Sequence, residues 1–304
     1  MDRSAAANDN DQYHDDHDIN DNNHGSLTNM GTLEIERAQA LLSWYRIQRR
    51  QLPWRDTGER YDVLVSEFML QQTQVERVIA YFEAWMNRFP TVEDLAKASL
   101  ADALSVWSGL GYNNRCKRLH DTAKIIASDG WPTSVEGLEE LPGVGAYTAR
   151  AIAAFALGKH VAATDTNLRR VLSRWYGEPL KGRALDVAAN QSLADPARDW
   201  NQAMMDLGAV ICRNHDPICN QCPVGAWCAG PGLILDVPRQ TKFEGSARQV
   251  RGAVVRALVR RAPQSIVELV AATQFPTSHV LEATSSLATD GLVETEDGVV
   301  RLCE

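Results

Sequence analysis

Residues 138–158 read LEELPGVGAYTARAIAAFALG, and this stretch decides which fold the chain can adopt. Apolar residues at helical spacing flank a Pro-Gly-Val-Gly turn, which predicts two short helices joined by a tight hairpin. Gly143 and Gly145 lack side chains, so the backbone of the turn can come close to a ligand. The amides around them open the second helix, where an anion is favoured. A plain turn between helices has the same features, and both interpretations stay open on this motif alone.

The charge of the chain is distributed unevenly. The net charge of the 304 residues is −8, but residues 1–31 hold seven aspartates and one arginine and so contribute −6, which leaves −2 for the other 273. Residues 145–184 hold seven basic side chains against two acidic ones, a local +5. A basic patch on a mildly acidic protein can attract phosphate, although a solvated face explains the same charges.

The composition changes along the chain in four steps. Residues 1–31 are rich in Asp, Asn and His and predict a disordered acidic tail. The pattern from 32 to 230 is helical throughout, with almost no alternation typical of strands. Residues 231–246 predict an extended linker. Residues 247–304 predict three helices and a hairpin around Asp297-Gly298, a small winged-helix pattern whose acidic residues favour a packing role over a DNA-binding one.

Four cysteines follow the helical region at the spacing C-x6-C-x2-C-x5-C, all within 17 residues. Disulfides are disfavoured in a cytosolic chain, which is the expected location because no apolar run is long enough to cross a membrane. Structural zinc usually uses two paired knuckles separated by a longer arm. Four thiolates on one compact loop can instead hold a 4Fe–4S cluster. The cysteines are Cys212, Cys219, Cys222 and Cys228.

Two carboxylates stand out by their surroundings. Glu67 lies in SEFMLQQTQ, and its helical neighbours at three and four residues are Val63, Leu64, Leu70 and Gln71. Glutamates are rarely buried unless they are paired, so this position requires an explanation. Asp165 precedes an amphipathic helix, and on local sequence alone it is most simply a helix N-cap.

Several motifs together carry a resemblance to a known family over about residues 35–235. They are LPWR (52–55), SEFMLQQTQ (66–74), LGY (110–112), LPGVGAYTA (141–149), DTN (165–167), NQAMMDLGA (201–209) and the cysteine loop. The chain resembles the MutY branch of the endonuclease III family of DNA glycosylases. The resemblance implies an all-α catalytic core, the helix-hairpin-helix glycosylase fold with an iron–sulfur cluster loop, here followed by a small α+β winged-helix-like unit.

The resemblance also implies an activity and roles for particular residues. The expected reaction is hydrolysis of the N-glycosidic bond of adenine mispaired with 8-oxoguanine or guanine. Glu67 would protonate the base as general acid, and Asp165 would stabilise the positive charge left on the sugar. Asn167 and Tyr147 would position Asp165 and the water. Tyr147 stands where relatives that cleave the strand carry a lysine, so a monofunctional enzyme is expected.

The remaining expectations concern binding. The resemblance assigns the adenine pocket to Trp54, Arg55, Leu70 and Gln72, the wedge that enters the base stack to Tyr112, the grip on the DNA backbone to Gly143, Val144 and Gly145, and one 4Fe–4S cluster to the four cysteines. Core packing explains Trp54 equally well. The expected partner is double-stranded DNA containing adenine mispairs, and the protein is expected to be a cytoplasmic, nucleoid-associated monomer.

The sequence departs from the family in two places. The 247–304 unit is too short for the Nudix-like domain that usually recognises 8-oxoguanine, which predicts a short form. Asn113 follows Tyr112 where many relatives have a second aromatic residue. Two alternatives therefore stay open: a mismatch thymine or uracil glycosylase, whose family shares the tyrosine but lacks the glutamate, and a catalytically idle iron–sulfur DNA-binding protein.

Overall fold

The computed structural model describes residues 31–236 and 242–303. The acidic tail predicted for residues 1–31 lies almost wholly outside the described residues, as does the middle of the predicted linker. None of the helices in the described ranges is long and apolar enough to span a membrane. From residue 31 to 236 the chain contains helices and no strand, so the predicted all-α core is confirmed.

The described residues form fourteen α-helices and three short strands. The helices are α1 (Thr32–Gln48), α2 (Arg60–Leu70), α3 (Val75–Arg88), α4 (Val92–Lys97), α5 (Leu100–Trp107), α6 (Asn113–Asp129), α7 (Val135–Glu139), α8 (Ala146–Ala156), α9 (Thr166–Tyr176), α10 (Gly182–Ser192), α11 (Ala197–Asp206), α12 (Ala247–Arg260), α13 (Ile266–Thr273) and α14 (Thr277–Thr289). The strands are β1 (Gln264–Ser265), β2 (Val293–Glu296) and β3 (Val299–Leu302).

Helices α2 to α8 form a first lobe around buried aromatic rings. The ring of Trp85 meets Trp107 at 5.6 Å and Phe89 at 5.0 Å between centroids, both edge to face. Helices α4 and α5 of this lobe have only six and eight residues and gain little from their own hydrogen bonds, so side-chain caps fix where they begin. The side chain of Thr91 caps α4 as part of a capping box. The side chain of Ser99 caps α5 by accepting a hydrogen bond from the backbone amide of Asp102.

Helices α1, α9, α10 and α11 form a second lobe with an apolar core of its own. Leu41 of α1, Leu172 of α9 and Trp200 of α11 are fully buried there. Val224 of the cysteine loop joins the same cluster, so the loop packs on the second lobe. The chain therefore folds around two cores, and the functional side chains predicted from sequence come from both.

The C-terminal residues form the three predicted helices and a three-stranded antiparallel sheet in the order β1-β3-β2. The hairpin predicted around Asp297-Gly298 is confirmed: both residues have positive φ, 50° and 76°, as a tight two-residue turn needs. Strand β1 was not predicted, because two residues are too few to show alternation. The buried residues of this unit belong to the same apolar cluster as the first lobe, so the unit packs on that lobe.

One buried carboxylate ties the second lobe to the segment that leads into α2. Asp206, at the end of α11, accepts two hydrogen bonds from Arg55, at 2.7 and 2.8 Å. Arg50 adds a side-chain bond of 2.6 Å and a backbone bond of 3.0 Å. Burial alone would raise the pKa of Asp206, but the hydrogen bonds and charges of the two arginines hold it below its usual value.

Replacing Asp206 by asparagine should destabilise the protein by about 3–5 kcal/mol, because it leaves the buried Arg55 charge without its counter-charge. The matched control is Asp102→Asn, which breaks an exposed pair with Arg88 at 3.7 Å and should cost less than about 1 kcal/mol. Urea unfolding of the two variants measures both changes. Equal losses would show that Asp206 contributes no more than a surface pair.

Candidate active site

A cavity of about 640 Å³ lies between the two lobes, a volume within the range of small-molecule sites. Residues from α2, from the start of α8, from the start of α9 and from α11 line it. The four residues predicted to be catalytic, Glu67, Tyr147, Asp165 and Asn167, are all among them. The fold thus brings together side chains that stand up to 100 positions apart in the sequence.

Glu67 lies on α2 and is 5% exposed. Every residue from Val63 to Met69 on this helix is buried, so the carboxyl group has lost most of its water. Burial raises the pKa of Glu67 to about 7, a hydrogen bond from Tyr147 opposes the rise, and the charge of Asp165 adds to it. The acid therefore keeps its proton up to about neutral pH, which is what a general acid needs.

Tyr147 stands in the first turn of α8, directly after the glycine hairpin. Its hydroxyl group donates a hydrogen bond to Glu67. Burial raises the pKa of Tyr147 well above its usual value, and the charges of Glu67 and Asp165 raise it further. The side chain therefore stays a neutral donor, and it has no amine with which to form a Schiff base.

Asp165 serves both as the helix cap and as a wall of the cavity. Its Oδ1 accepts from the backbone amide of Leu168 at 2.7 Å and caps α9. Its Oδ2 accepts from Asn167 Nδ2 at 2.9 Å. Burial raises the pKa of Asp165, while these hydrogen bonds and then the charge of Arg170 oppose the rise. The two interpretations of this residue from sequence are therefore compatible.

Neighbouring residues hold the carboxylate and its amide partner in place. Arg170 Nη2 donates to Asn167 Oδ1 at 2.8 Å. A Cβ atom at Gly208 would lie 2.6 Å from the Cβ of Asn167, so only glycine permits this close approach. Asn201, fully buried, accepts from the amide of Ala163 at 2.7 Å and fixes the chain that leads to Asp165. Gly208 and Asn201 belong to the NQAMMDLGA motif, for which the sequence predicted no role.

Three of the four residues predicted for the adenine pocket line the cavity: Trp54, Arg55 and Leu70. Trp54 also packs edge to face on Phe82 at 5.4 Å, so it contributes to the core as well. The guanidinium group of Arg55 is held by Asp206, as described above. Gln72 does not line the cavity, because α2 ends at Leu70 and the chain turns there with Gln72 at φ 58°.

Other residues line the cavity without having been predicted. Gln71 does so in place of Gln72, and its amide donates to the carbonyl of Gly143 at 3.4 Å. Gln202 accepts from the hydroxyl of Tyr45 at 2.5 Å. Arg169 also reaches the cavity, and its buried Nε has no hydrogen-bond partner within the described part of the chain. The basic excess of residues 145–184 was the only signal for this arginine.

Tyr112 lies outside the cavity, at the N-cap of α6 in the left-handed conformation (φ 50°, ψ 54°). Two guanidinium groups stand over its ring, that of Arg115 at 5.3 Å and that of Arg248 at 5.8 Å. Arg248 also donates to the hydroxyl of Tyr112 at 2.7 Å. The predicted wedge is therefore in contact with the C-terminal unit, which no sequence pattern indicated.

The glycine hairpin joins α7 to α8. Gly143 has φ 81°, and a Cβ atom there would lie 2.9 Å from Phe68, so this glycine is required by the turn and its packing. Val144 is buried. Gly145 caps α8 without any side-chain hydrogen bond, and a Cβ atom there would meet nothing within 4 Å. The amides at the start of α8 are thus uncovered on the side of Gly145.

The four cysteines lie on a loop that follows a π-helical turn at Leu207–Ile211. Arg174 Nη1 donates to Cys212 Sγ at 3.2 Å. Burial raises the pKa of Cys222 to about 11; a backbone hydrogen bond opposes the rise, and the charges of the other three loop cysteines add to it. Four mutually interacting thiols suit an iron–sulfur cluster in type and number. Within the described residues, however, no three ligating side chains converge closely enough to hold a metal ion, so the cluster stays a prediction.

Comparisons with known proteins bear on the whole arrangement. Residues 65–189 match the model of the HhH-GPD superfamily of base excision DNA repair proteins. The adenine DNA glycosylase of Mycobacterium tuberculosis (strain CDC 1551 / Oshkosh) is 41% identical over 276 residues, covering 85% of this chain and 90% of that protein. The human adenine DNA glycosylase is 43% identical over 208 residues, covering 62% of this chain and 38% of its own length.

Solved structures agree with the fold. A thermostable thymine-DNA glycosylase superposes with a TM-score of 0.62 at 28% identity and covers 65% of this chain and 95% of its own. Endonuclease III in a non-covalent complex with DNA superposes with a TM-score of 0.56 at 18% identity, covering 66% and 97%, which supports the fold alone. With the extent of the mycobacterial match, the hairpin, and the two carboxylates on one cavity, the chain belongs to the adenine DNA glycosylase family.

Proposed function

We propose that the chain is a monofunctional adenine DNA glycosylase of base excision repair, which hydrolyses the N-glycosidic bond of adenine mispaired with 8-oxoguanine or guanine in double-stranded DNA. The observation that carries the proposal is the carboxyl group of Glu67. It is buried, its pKa is raised to about 7, and it shares one cavity with Asp165. The relatives' name and the match over most of both chains support the choice of adenine.

Glu67 acts as the general acid. Adenine is a poor leaving group and departs more readily once a ring nitrogen, N7, is protonated. A proton donor is most effective when its pKa lies near the working pH, and burial places the pKa of Glu67 there. Tyr147, which donates to Glu67, orients the carboxyl group.

Asp165 acts on the sugar. Departure of the base leaves positive charge on the deoxyribose, and a carboxylate beside it stabilises that charge or forms a transient bond to it. The amide of Leu168 and the side chain of Asn167 both donate to Asp165 and favour its ionised form. These bonds oppose the rise in pKa that burial causes, so Asp165 is the group proposed to act as the anion and Glu67 the group proposed to act as the acid.

The other predicted site residues are proposed to bind the DNA and the flipped base. The adenine must leave the base stack before it can reach a cavity of this kind. Tyr112 enters the stack, Trp54, Arg55 and Leu70 form the pocket wall, and the amides near Gly145 bind a backbone phosphate. Cys212, Cys219, Cys222 and Cys228 would hold one 4Fe–4S cluster, which would supply a cross-link between the four thiolates of the loop. The unit from 247 to 304 is winged-helix-like, and the protein works as a monomer in the cytoplasm, associated with the nucleoid.

A second candidate is a mismatch thymine glycosylase, favoured by the 28% identity to a thymine-DNA glycosylase of the same fold. Both candidates use the tyrosine at the head of α8. Glu67 decides between them, since thymine departs without a proton donor at this position and the thymine-specific relatives lack the glutamate.

A panel of labelled duplexes tests the activity. Excess enzyme should release adenine opposite 8-oxoguanine or guanine, and strand breaks should appear only after alkali, because Tyr147 has no amine for strand cleavage. The panel includes adenine opposite thymine and thymine or uracil opposite guanine as controls. Release of thymine or uracil without release of adenine would favour the second candidate, and binding without any base release would favour an idle scaffold.

Glu67→Gln should lower the rate of adenine release by about 10²- to 10⁴-fold, the usual contribution of a general acid. It should also stabilise the fold. The pKa of Glu67 is 4.5 in the unfolded chain and about 7 when folded, so stability falls as the pH rises through this interval. The cost reaches about 3 kcal/mol above pH 7, and the neutral amide avoids it. Denaturation at pH 5 and pH 8 measures the gain, with Glu83→Gln on the exposed face of α3 as the unaffected control.

The pH profile of single-turnover adenine release should fall above about pH 7, where Glu67 loses its proton. Tyr147→Phe should move this alkaline limb to higher pH, because the hydrogen bond from Tyr147 favours the ionised carboxylate and lowers its pKa. Stopped reactions from pH 5.5 to 9 on one mispaired duplex measure both curves. A limb that stays in place in the tyrosine variant would contradict the assignment of the titrating group.

A further inference from the structure

Helix α12 and its C-cap carry five arginines: Arg248, Arg251, Arg256, Arg260 and Arg261. Two of them serve the fold of the C-terminal unit. Arg251 pairs with Asp290 at 2.5 Å, and Arg261 pairs with Glu268. Arg256 and Arg260 are exposed and form no ion pair with any residue in the described ranges. Unpaired exposed cations attract phosphate, so Arg256 and Arg260 are candidates for a binding role.

Arg248, Arg256 and Arg260 share one face of the helix. They are spaced by eight and four residues, and at 3.6 residues per turn they fall within an arc of about 120°. Along the axis, Arg256 lies about 12 Å and Arg260 about 18 Å from Arg248, at 1.5 Å per residue. The opposite face, with Val250, Val254 and Leu258, is buried in the apolar cluster that the C-terminal unit shares with the first lobe. The basic face is therefore the outward one and forms a row.

This row begins at the proposed DNA wedge. Arg248 donates to the hydroxyl of Tyr112 at 2.7 Å and stands over its ring. A duplex opened by Tyr112 would thus meet the first turn of α12. Beyond it, Arg256 and Arg260 line an open groove of about 880 Å³ together with Gln249, Gln264 and the ion pair of Arg261 with Glu268.

The rest of the C-terminal unit has the opposite charge. In many helix-turn-helix proteins the recognition helix enters the DNA groove. Here α14 carries no lysine or arginine, and the hairpin bears Glu294, Glu296 and Asp297. Arg301 on β3 pairs with the two glutamates. The acidic hairpin repels DNA and α14 has no basic side chain to attract it. Compared with these two elements of the unit, α12 offers the basic surface.

We propose that the outward face of α12, made by Arg248, Arg256 and Arg260, is a second duplex-binding surface that extends the DNA contact beyond the wedge. It binds backbone phosphates and is indifferent to sequence, because guanidinium groups on an exposed face contact the strand rather than base edges. Arg248 couples this surface to the wedge by positioning Tyr112. The proposal rests on the proposed glycosylase function. It gives a role to the contact between the C-terminal unit and Tyr112.

The test compares Arg256→Gln/Arg260→Gln with Arg88→Gln/Arg301→Gln, which makes the same charge change at exposed arginines that are paired with acids and lie outside the groove. Each pair is placed in the full chain carrying Glu67→Gln, so that a duplex with a central adenine–8-oxoguanine pair is bound without base loss. The salt dependence of Kd is measured from 50 to 300 mM. Loss of two phosphate contacts should lower the slope of log K against log salt by about 2, and the control pair should leave it unchanged.

The same pairs with Glu67 intact are assayed for adenine release at saturating enzyme. The rate should stay within twofold of wild type for both, since neither pair lines the catalytic cavity. An unchanged slope for Arg256→Gln/Arg260→Gln, or an equal fall in the control, overturns the proposal and leaves α12 a solvated face. If the wild-type chain releases no adenine, the proposed function fails, while the slopes still decide whether α12 binds DNA.

Discussion

The site depends on a single buried ion cluster. Asp206 joins the end of α11 to Arg50 and Arg55, which lie just before α2, and so fixes the distance between the two lobes. Glu67 comes from one side of the resulting cleft and Asp165 from the other. Were the lobes free to move apart, water would enter and the pKa of Glu67 would return towards that of an ordinary glutamate. The ion pairs of Asp206 therefore help to keep the carboxyl group of Glu67 protonated near neutral pH.

Local sequence signals drew attention to part of the proposed catalytic set, and the family resemblance supplied the roles, including those of Tyr147 and Asn167. Glu67 stood out because a carboxylate is unusual among apolar helical neighbours. The hairpin was recognisable because two glycines that flank one residue are typical of a tight turn. Asp165 was visible only as a cap until the resemblance added its second role. The helical core and the Asp297-Gly298 hairpin followed from periodicity and turn chemistry, which act over a few residues and so can be read directly from the chain.

The features that sequence reasoning missed depend on contacts between distant residues. Arg248 and Tyr112 are 136 positions apart, and Arg55 and Asp206 are 151 apart. No periodic pattern links such pairs, so the sequence predicted binding roles for Arg55 and Tyr112 but not the contacts that hold these side chains. The difference between Gln71, which lines the cavity, and the predicted Gln72, which does not, has another origin: α2 ends at Leu70, and a one-residue change in where a helix ends changes which amide meets the cavity.

Helix α9 connects the cavity, at Asp165, to the cysteine loop. Asp165 caps its first turn, while Arg170 and Arg174 further along hold the backbone of the cysteine loop through Cys212 and Arg213. The span from the cap to Arg174 is about 14 Å of rigid helix. A change in the backbone at Cys212 or Arg213 therefore acts on the same rigid helix whose first turn Asp165 caps. The carboxylate proposed to act on the sugar is thus mechanically linked to the cysteine loop.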